Sequence, residues 1–179
     1  MSTRTGQDLK VAPNRNDHVR GAAEARVTVV EYGDFECPVC RAAEPGIRML
    51  LDQHPADLRL IYRHNPLESA HPHALMAAEA AEAAGAQGQF WPMHDLLMHD
   101  AAPLHKAALR EYAGKLGLDL ADFSASLADE IYRQRVREHM SGAALSHVRS
   151  SPGIFVNGKL CDVSGGLHAL GEAVARELR

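Results

Sequence analysis

Two of the three cysteines in this 179-residue chain stand three positions apart, Cys37 and Cys40 in EYGDFECPVC, and that spacing suits redox chemistry. A dithiol that exchanges disulfides needs one sulfur present as thiolate near neutral pH. It also needs a second within reach to resolve the mixed disulfide. Two intervening residues at a helix start meet both needs. The first thiol then faces backbone N–H groups with no intrahelical partner, at the positive end of the helix dipole. Such surroundings lower a cysteine pKa from about 8.5 to between roughly 3.5 and 7.5. Cys37 is therefore the expected nucleophile, and Cys40, one turn deeper, the resolving thiol.

The same spacing is also half of a zinc site. The remaining cysteine, Cys161, falls alone on an expected strand. His71 and His73 are two apart and His94 and His99 five apart, so neither pair has the i, i+4 spacing that puts two imidazoles on one helix face. No metal and no bound cofactor are expected, and a zinc-holding or redox-sensing module is the alternative reading of the cysteine pair. Glu31 interrupts an apolar run. Buried without a cation, its carboxyl would have a raised pKa and could take a proton from Cys40. The position equally suits a strand-end glutamate reaching solvent. Phe35 and Glu36, which flank Cys37, read either as shaping the approach of a substrate or, more plainly, as solvated loop residues. Trp91 with Phe90 and Tyr112 reads as the core of a helical region. Cys161 reads as a small buried hydrophobe. His71 and His73 read as surface histidines that could approach the cysteines.

A strand, a loop and a helix must position these groups. RVTVVEY, Arg26 to Tyr32, is a β-branched run suited to a strand buried on both faces. GDFE is a short loop, and a helix begins around Cys37–Pro38, where proline's missing N–H leaves no bond unmade. Ile47, Leu50 and Leu51 supply its inward face, and Pro45 inside it predicts a kink. LRLIY, Leu58 to Tyr62, is a second strand, completing a parallel right-handed βαβ unit. A helical stretch follows: SAHPHALMAAEAAEAAG ended by Gly85, then QFWPMHDLLMHD, then a helix through Leu109 and Leu116 stopped by Gly117. Phe123 and Leu127 mark a short piece, and Tyr132, Val136, Met140 and Val148 a longer one. GIFV, the Asn157-Gly158 turn and KLCDV form a hairpin, because both central residues of such a turn need positive φ. LHALGEAVARELR closes the chain as a helix.

The implied class is α/β, with a helical block between the second strand and the C-terminal β-hairpin. Residues 1–20 read as a mobile polar arm and 21–179 as a single domain, with the insertion at about 66–149. A hydrophobic share of 46% with 23% charged residues fits one ordinary globular domain. Net charge is -4, and without a lysine or arginine run nucleic acid is not an expected partner. No stretch approaches the roughly 20 apolar residues of a membrane span. MSTRTGQDLKVAPNRND has no apolar core of a secretory signal, so a cytoplasmic location is expected, where cysteines do not serve as structural disulfides.

Together, EYGDFECPVC, HPHALMAAEAAEAAGAQGQFWPMHDLL and SSPGIFVNG resemble the DsbA-like branch of the thioredoxin superfamily. These are dithiol oxidoreductases with a helical domain inserted into a thioredoxin fold, and the likeness runs from about Asp17 to the C-terminus. The resemblance implies that Cys37 is the nucleophile and Cys40 the resolving cysteine. It implies that Pro38 and Val39 are the dipeptide that tunes redox potential, and that Glu31 is the acid beneath the pair. Pro152, after Ser151, matches the family's cis-proline facing the active site, which implies that an extended substrate pairs with the Ser151 backbone. Implied partners are protein or low-molecular-weight thiols and disulfides, and a redox partner. The chain departs from the family in Ser151, where threonine or valine is frequent, and in Gly153, where a larger residue is common. Members that act as oxidants are usually exported, so the direction of electron flow is left open.

Overall fold

The computed structural model describes residues 8–100 and 103–179, so residues 1–7 of the expected arm lie outside the described residues. Five strands, β1 (His18–Gly21), β2 (Val27–Gly33), β3 (Leu58–His64), β4 (Gly153–Val156) and β5 (Lys159–Cys161), form one sheet in the order β1-β3-β2-β4-β5. β2 runs parallel to β3 and antiparallel to β4, while β1 and β5 pair antiparallel at the two edges. The helix α1 (Pro38–Gln53) connects β2 to β3. Between β3 and β4 lie α2 (Ala74–Ala86), α3 (Phe90–His99), α4 (Lys106–Lys115), α5 (Leu120–Ala128) and α6 (Arg133–Leu145). The last helix, α7 (His168–Glu177), follows β5. This is a thioredoxin fold with an all-helical insertion before the hairpin.

Alternation along β2 decides what lies beneath the cysteines. Val27 and Val29 pack with Ala43, Ile47 and Leu51 of α1 and with Leu170 and Val174 of α7. Val30 and Tyr32 point the other way, toward Phe155 and Ala143 of α6. A period of two therefore puts Glu31 on the α1 face, where its register partner is Tyr62 of β3. A third apolar cluster joins Phe35, both active-loop cysteines and Tyr62 to the helical insertion through Ala77, Ala81, Phe90, Met93 and Leu97. The alanines of α2 are buried among α3, α4, α5 and α6, and their small side chains let those helices approach.

Several expectations need correction. β1 lies inside the segment read as a mobile arm; four residues containing His and Arg carry too little β-pattern to be read as a strand. Tertiary contacts hold it. Asp17 and Arg63 form a bidentate ion pair at 2.8 Å with both side chains 2% exposed, and Arg63 also donates to the Val11 and Ala12 carbonyls. Leu9 donates to the Gly158 carbonyl across the other edge (2.9 Å). α2 starts at Ala74, not Ser69, because Pro72 disfavours helix at His71 and because carboxylates of the cysteine loop hold this segment. Trp91 is half-buried and reaches out of the insertion, donating from Nε1 to the Val19 carbonyl (2.9 Å) beneath Arg20. Val148 lies beyond α6, against Gly153; a Cβ there would come within 2.5 Å of Val148 Cγ1, which explains the small residue at that departure. Asn157 and Gly158 turn the hairpin with φ of 45° and 80°.

Candidate active site

Cys37 is the residue before α1, in extended backbone (φ −72°, ψ 118°), with its N–H donating to the Asp34 carbonyl (3.1 Å). Pro38 fills the first helical position, which leaves the Val39 and Cys40 N–H groups in the unbonded first turn. Cys37 is 5% exposed, Cys40 is fully buried, and Val39 between them is 57% exposed. Both thiols are free. A hydrogen bond from the Cys40 thiol brings the Cys37 pKa down to about 6. Burial works against this, the Val39 and Cys40 amides favour it, and the charge of Asp34 opposes it. The Cys40 thiol is pushed far up, by that same bond to Cys37, by burial and by the charge of Glu31. One sulfur is thus poised to ionise while the other keeps its proton.

Glu31 is buried, at 3% exposure, and forms no ion pair with a cation among the described residues. Burial, then the charges of Glu44 and Cys37, push its carboxyl up to about 8. The Tyr62 hydroxyl, fully buried beside it in register, has no hydrogen-bond partner among the described residues, and burial with the charge of Glu31 raises its pKa well above the ordinary value. Across the site, the Cys37 sulfur lies 3.3 Å from the Ser151 carbonyl oxygen. The Ser151–Pro152 peptide is cis. Ser151 is held by its hydroxyl, which donates to the Asn65 carbonyl (3.1 Å), while Asn65 donates its N–H to the Gly33 carbonyl (2.7 Å). The structure therefore brings Glu31, Cys37, Cys40 and Ser151 together from β2, α1 and the approach to β4.

Reading the sequence missed Asp34. Its buried carboxylate accepts from the N–H groups of Glu36 and Leu67 (both 2.8 Å) and contacts His71 Nδ1 at 2.7 Å. Glu36, read as solvated, accepts from the His73 N–H (2.7 Å). Phe35, also read as solvated, is 1% exposed and stacks on Tyr62 with ring centres 5.3 Å apart. The loop before Cys37 is consequently fixed from both sides. Cys161, half-buried on the edge strand β5, is not part of the site.

Two groups of side chains have metal-ligand geometry, His64 with Glu82 and His139, and Glu44 with His94 and Asp95. Each already carries guanidinium charge. Arg135 lies 2.7 Å from Glu82, and Arg48 lies within 2.8 Å of Glu44 and Asp95. Among the described residues, the Cys37–Cys40 pair belongs to neither group.

A thioredoxin family model matches residues 13–175. The chain belongs to that family. Its fold is DsbA-like. A thioredoxin-like oxidoreductase from Silicibacter pomeroyi is 30% identical, superposes with a TM-score of 0.78, and is matched over 91% of this chain and 92% of its own. BdbD from Bacillus subtilis, in its oxidised form, is 21% identical with a TM-score of 0.82, over 97% of this chain and 96% of its own, a likeness of fold. The Na(+)/H(+) antiporter NhaA 1 of Salinispora arenicola is 52% identical over 166 residues, 93% of this chain and 25% of the antiporter. The chain spans about a quarter of the length of the curated relatives it matches. No helix among the described residues is long and apolar enough to cross a membrane.

Proposed function

We propose that this DsbA-like protein exchanges disulfides with protein or small-thiol substrates through Cys37 and Cys40. The observation that carries the reading is the asymmetry of the pair. Cys37, at the helix start with its pKa near 6, can be a thiolate at neutral pH, while Cys40 is buried and protonated. In the reducing direction the Cys37 sulfur attacks a substrate disulfide. That S–S bond breaks, the departing thiolate takes a proton, and Cys37 forms a mixed disulfide. Cys40 then loses its proton to the Glu31 carboxylate and attacks Cys37 Sγ. The second substrate thiol leaves, and the two electrons of the dithiol have passed to the substrate. Run backward, the same steps oxidise a substrate dithiol.

Glu31 suits the proton step because a carboxyl with pKa near 8 exchanges protons near neutral pH. Pro38 and Val39 are both exposed between the two cysteines, and Val39 gives an approaching chain an apolar contact. The Ser151 backbone, 3.3 Å from the sulfur at its carbonyl, offers an extended substrate a place to pair beside Cys37. Trapping tests the reading. Cys40→Ser should accumulate substrates as mixed disulfides on Cys37, and Cys37→Ser should accumulate none. Equal trapping by both variants, read by mass spectrometry, would overturn the assignment.

A further inference from the structure

The Cys-x-x-Cys dipeptide of this chain, Pro38-Val39, carries no charge, and the carboxylates nearest the sulfur are unfavourable to a thiolate. Asp34 opposes ionisation of Cys37, and Glu36 is its direct neighbour. Arg41 Nε donates to the Phe35 carbonyl in the same loop (2.7 Å), and the group that meets the Asp34 carboxylate is a histidine. His71, from the segment between β3 and α2, places Nδ1 2.7 Å from Asp34 Oδ2, with its side chain 18% exposed. The geometry is well fixed, because the same carboxylate oxygen accepts the Leu67 N–H four residues earlier, and the Glu36 carboxylate accepts the His73 N–H. The charged groups facing His71 are Asp34 and Glu36 from the loop before α1 and Cys37 from the helix start.

We propose that His71 is a positioning residue for the Cys37 thiolate, its imidazolium neutralising Asp34 and supplying the positive charge that the Pro38-Val39 dipeptide lacks. This rests on the exchange reaction proposed above. Its consequence is a redox couple that responds to pH through a residue outside the cysteine motif. With His71 protonated, the thiolate and hence the dithiol form are favoured. With His71 neutral, Asp34 acts unopposed and the disulfide is favoured. The hydrogen bond to Asp34 raises the His71 pKa, burial opposes this, and the charges of Asp34, Cys37 and Glu36 add to it, so His71 keeps its proton to higher pH than an unperturbed imidazole.

The test is His71→Asn, which keeps an N–H donor for Asp34 and removes only the titratable charge. The acid constant of Cys37, read by thiolate absorbance, should fall about threefold to tenfold. The equilibrium of the pair with glutathione should move toward disulfide by about twofold or more at about pH 6, and variant and wild type should converge near about pH 9. An unchanged Cys37 acid constant and an unchanged glutathione equilibrium would overturn the proposal. A second measurement needs no variant. Coupling is reciprocal, so His71 followed by NMR should titrate at higher pH in the reduced protein than in the oxidised one. Equal values in both would equally overturn it. If the wild type exchanged no disulfides at all, the exchange reaction would fall, while the Cys37 and His71 titrations would still read the charge coupling.

Discussion

Two buried glutamates, Glu31 on β2 and Glu82 on α2, differ in almost nothing but their company. Both are nearly inaccessible, at 3% and 4% exposure. Glu82 lies within 3.0 Å of His18 Nε2, 2.9 Å of His64 Nε2 and 2.7 Å of Arg135 Nε. Burial disfavours its charge, yet the hydrogen bonds from His18 and His64 hold the carboxyl far below the carboxylate range. Among the described residues Glu31 meets no cation but another carboxylate, Glu44, and burial with that charge takes its pKa to about 8. A buried acid with partners is a fastener between β1, β3, α2 and α6. A buried acid without them holds a proton that can move near neutral pH, and it lies under the one thiol that must lose a proton to react.

The comparison breaks most visibly if Glu82 loses its carboxylate. Glu82→Leu should cost about 2–4 kcal/mol, discounted because Arg135 can turn partly to solvent, and leave the Cys37 acid constant unchanged; chemical denaturation and thiol titration check the two halves. Its pH dependence has a definite sign. A carboxyl whose folded pKa is depressed stabilises above its unfolded pKa, and that stability is lost as pH falls through the acid range. His139 adds to acid lability, because burial lowers its pKa to about 3 and the unfolded chain takes up its proton first. Glu31→Gln should behave oppositely. With a folded pKa near 8 against 4.5 unfolded, the native state binds more protons over that window, so wild-type stability declines as pH rises through it. The variant should therefore gain about 1–3 kcal/mol relative to wild type between about pH 5 and pH 9, and exchange disulfides more slowly. A stability difference that shrinks as pH falls, rather than growing as pH rises, would place Glu31 in the same category as Glu82.

That contrast also marks what sequence can carry. Cys37 and Cys40 are readable because a local rule, the helix start, places them; Glu31 suited solvent as well as burial until family likeness, and then the α1 face of β2, put it beneath the pair. Ser151 entered through family likeness. Glu82 is not readable, since an acid in an alanine-rich helix looks like a solvated charge until His18, His64 and Arg135 are brought from three other elements. Asp34 escaped for the same reason, and so did its pairing with His71, 37 positions away with no pattern linking the two. Phe35 was misplaced because loop position suggests solvent, whereas the insertion closes over it and the Tyr62 ring lies against it. The strand β1 has too few residues to declare itself and is defined by Arg63 and Trp91.

The smallest effect sharpens the comparison from the outside. Val39 sits between the two cysteines yet is 57% exposed, so a charge placed there meets water on most sides. Val39→Glu should leave stability within about 0.5 kcal/mol of wild type, as surface changes do. It should raise the Cys37 pKa by only a few tenths, roughly, and less in high salt, because solvent and ions screen exposed charge. Titration of the thiolate at low and high ionic strength measures this. A shift as large as the one removed with the His71 charge, or one insensitive to salt, would mean that the mouth of the site is as dry as its floor. The floor, not the mouth, is where Glu31 and Cys40 lie without a cation, and a strong response there with a weak one at Val39 is what makes burial, rather than nearness alone, the source of the site's chemistry.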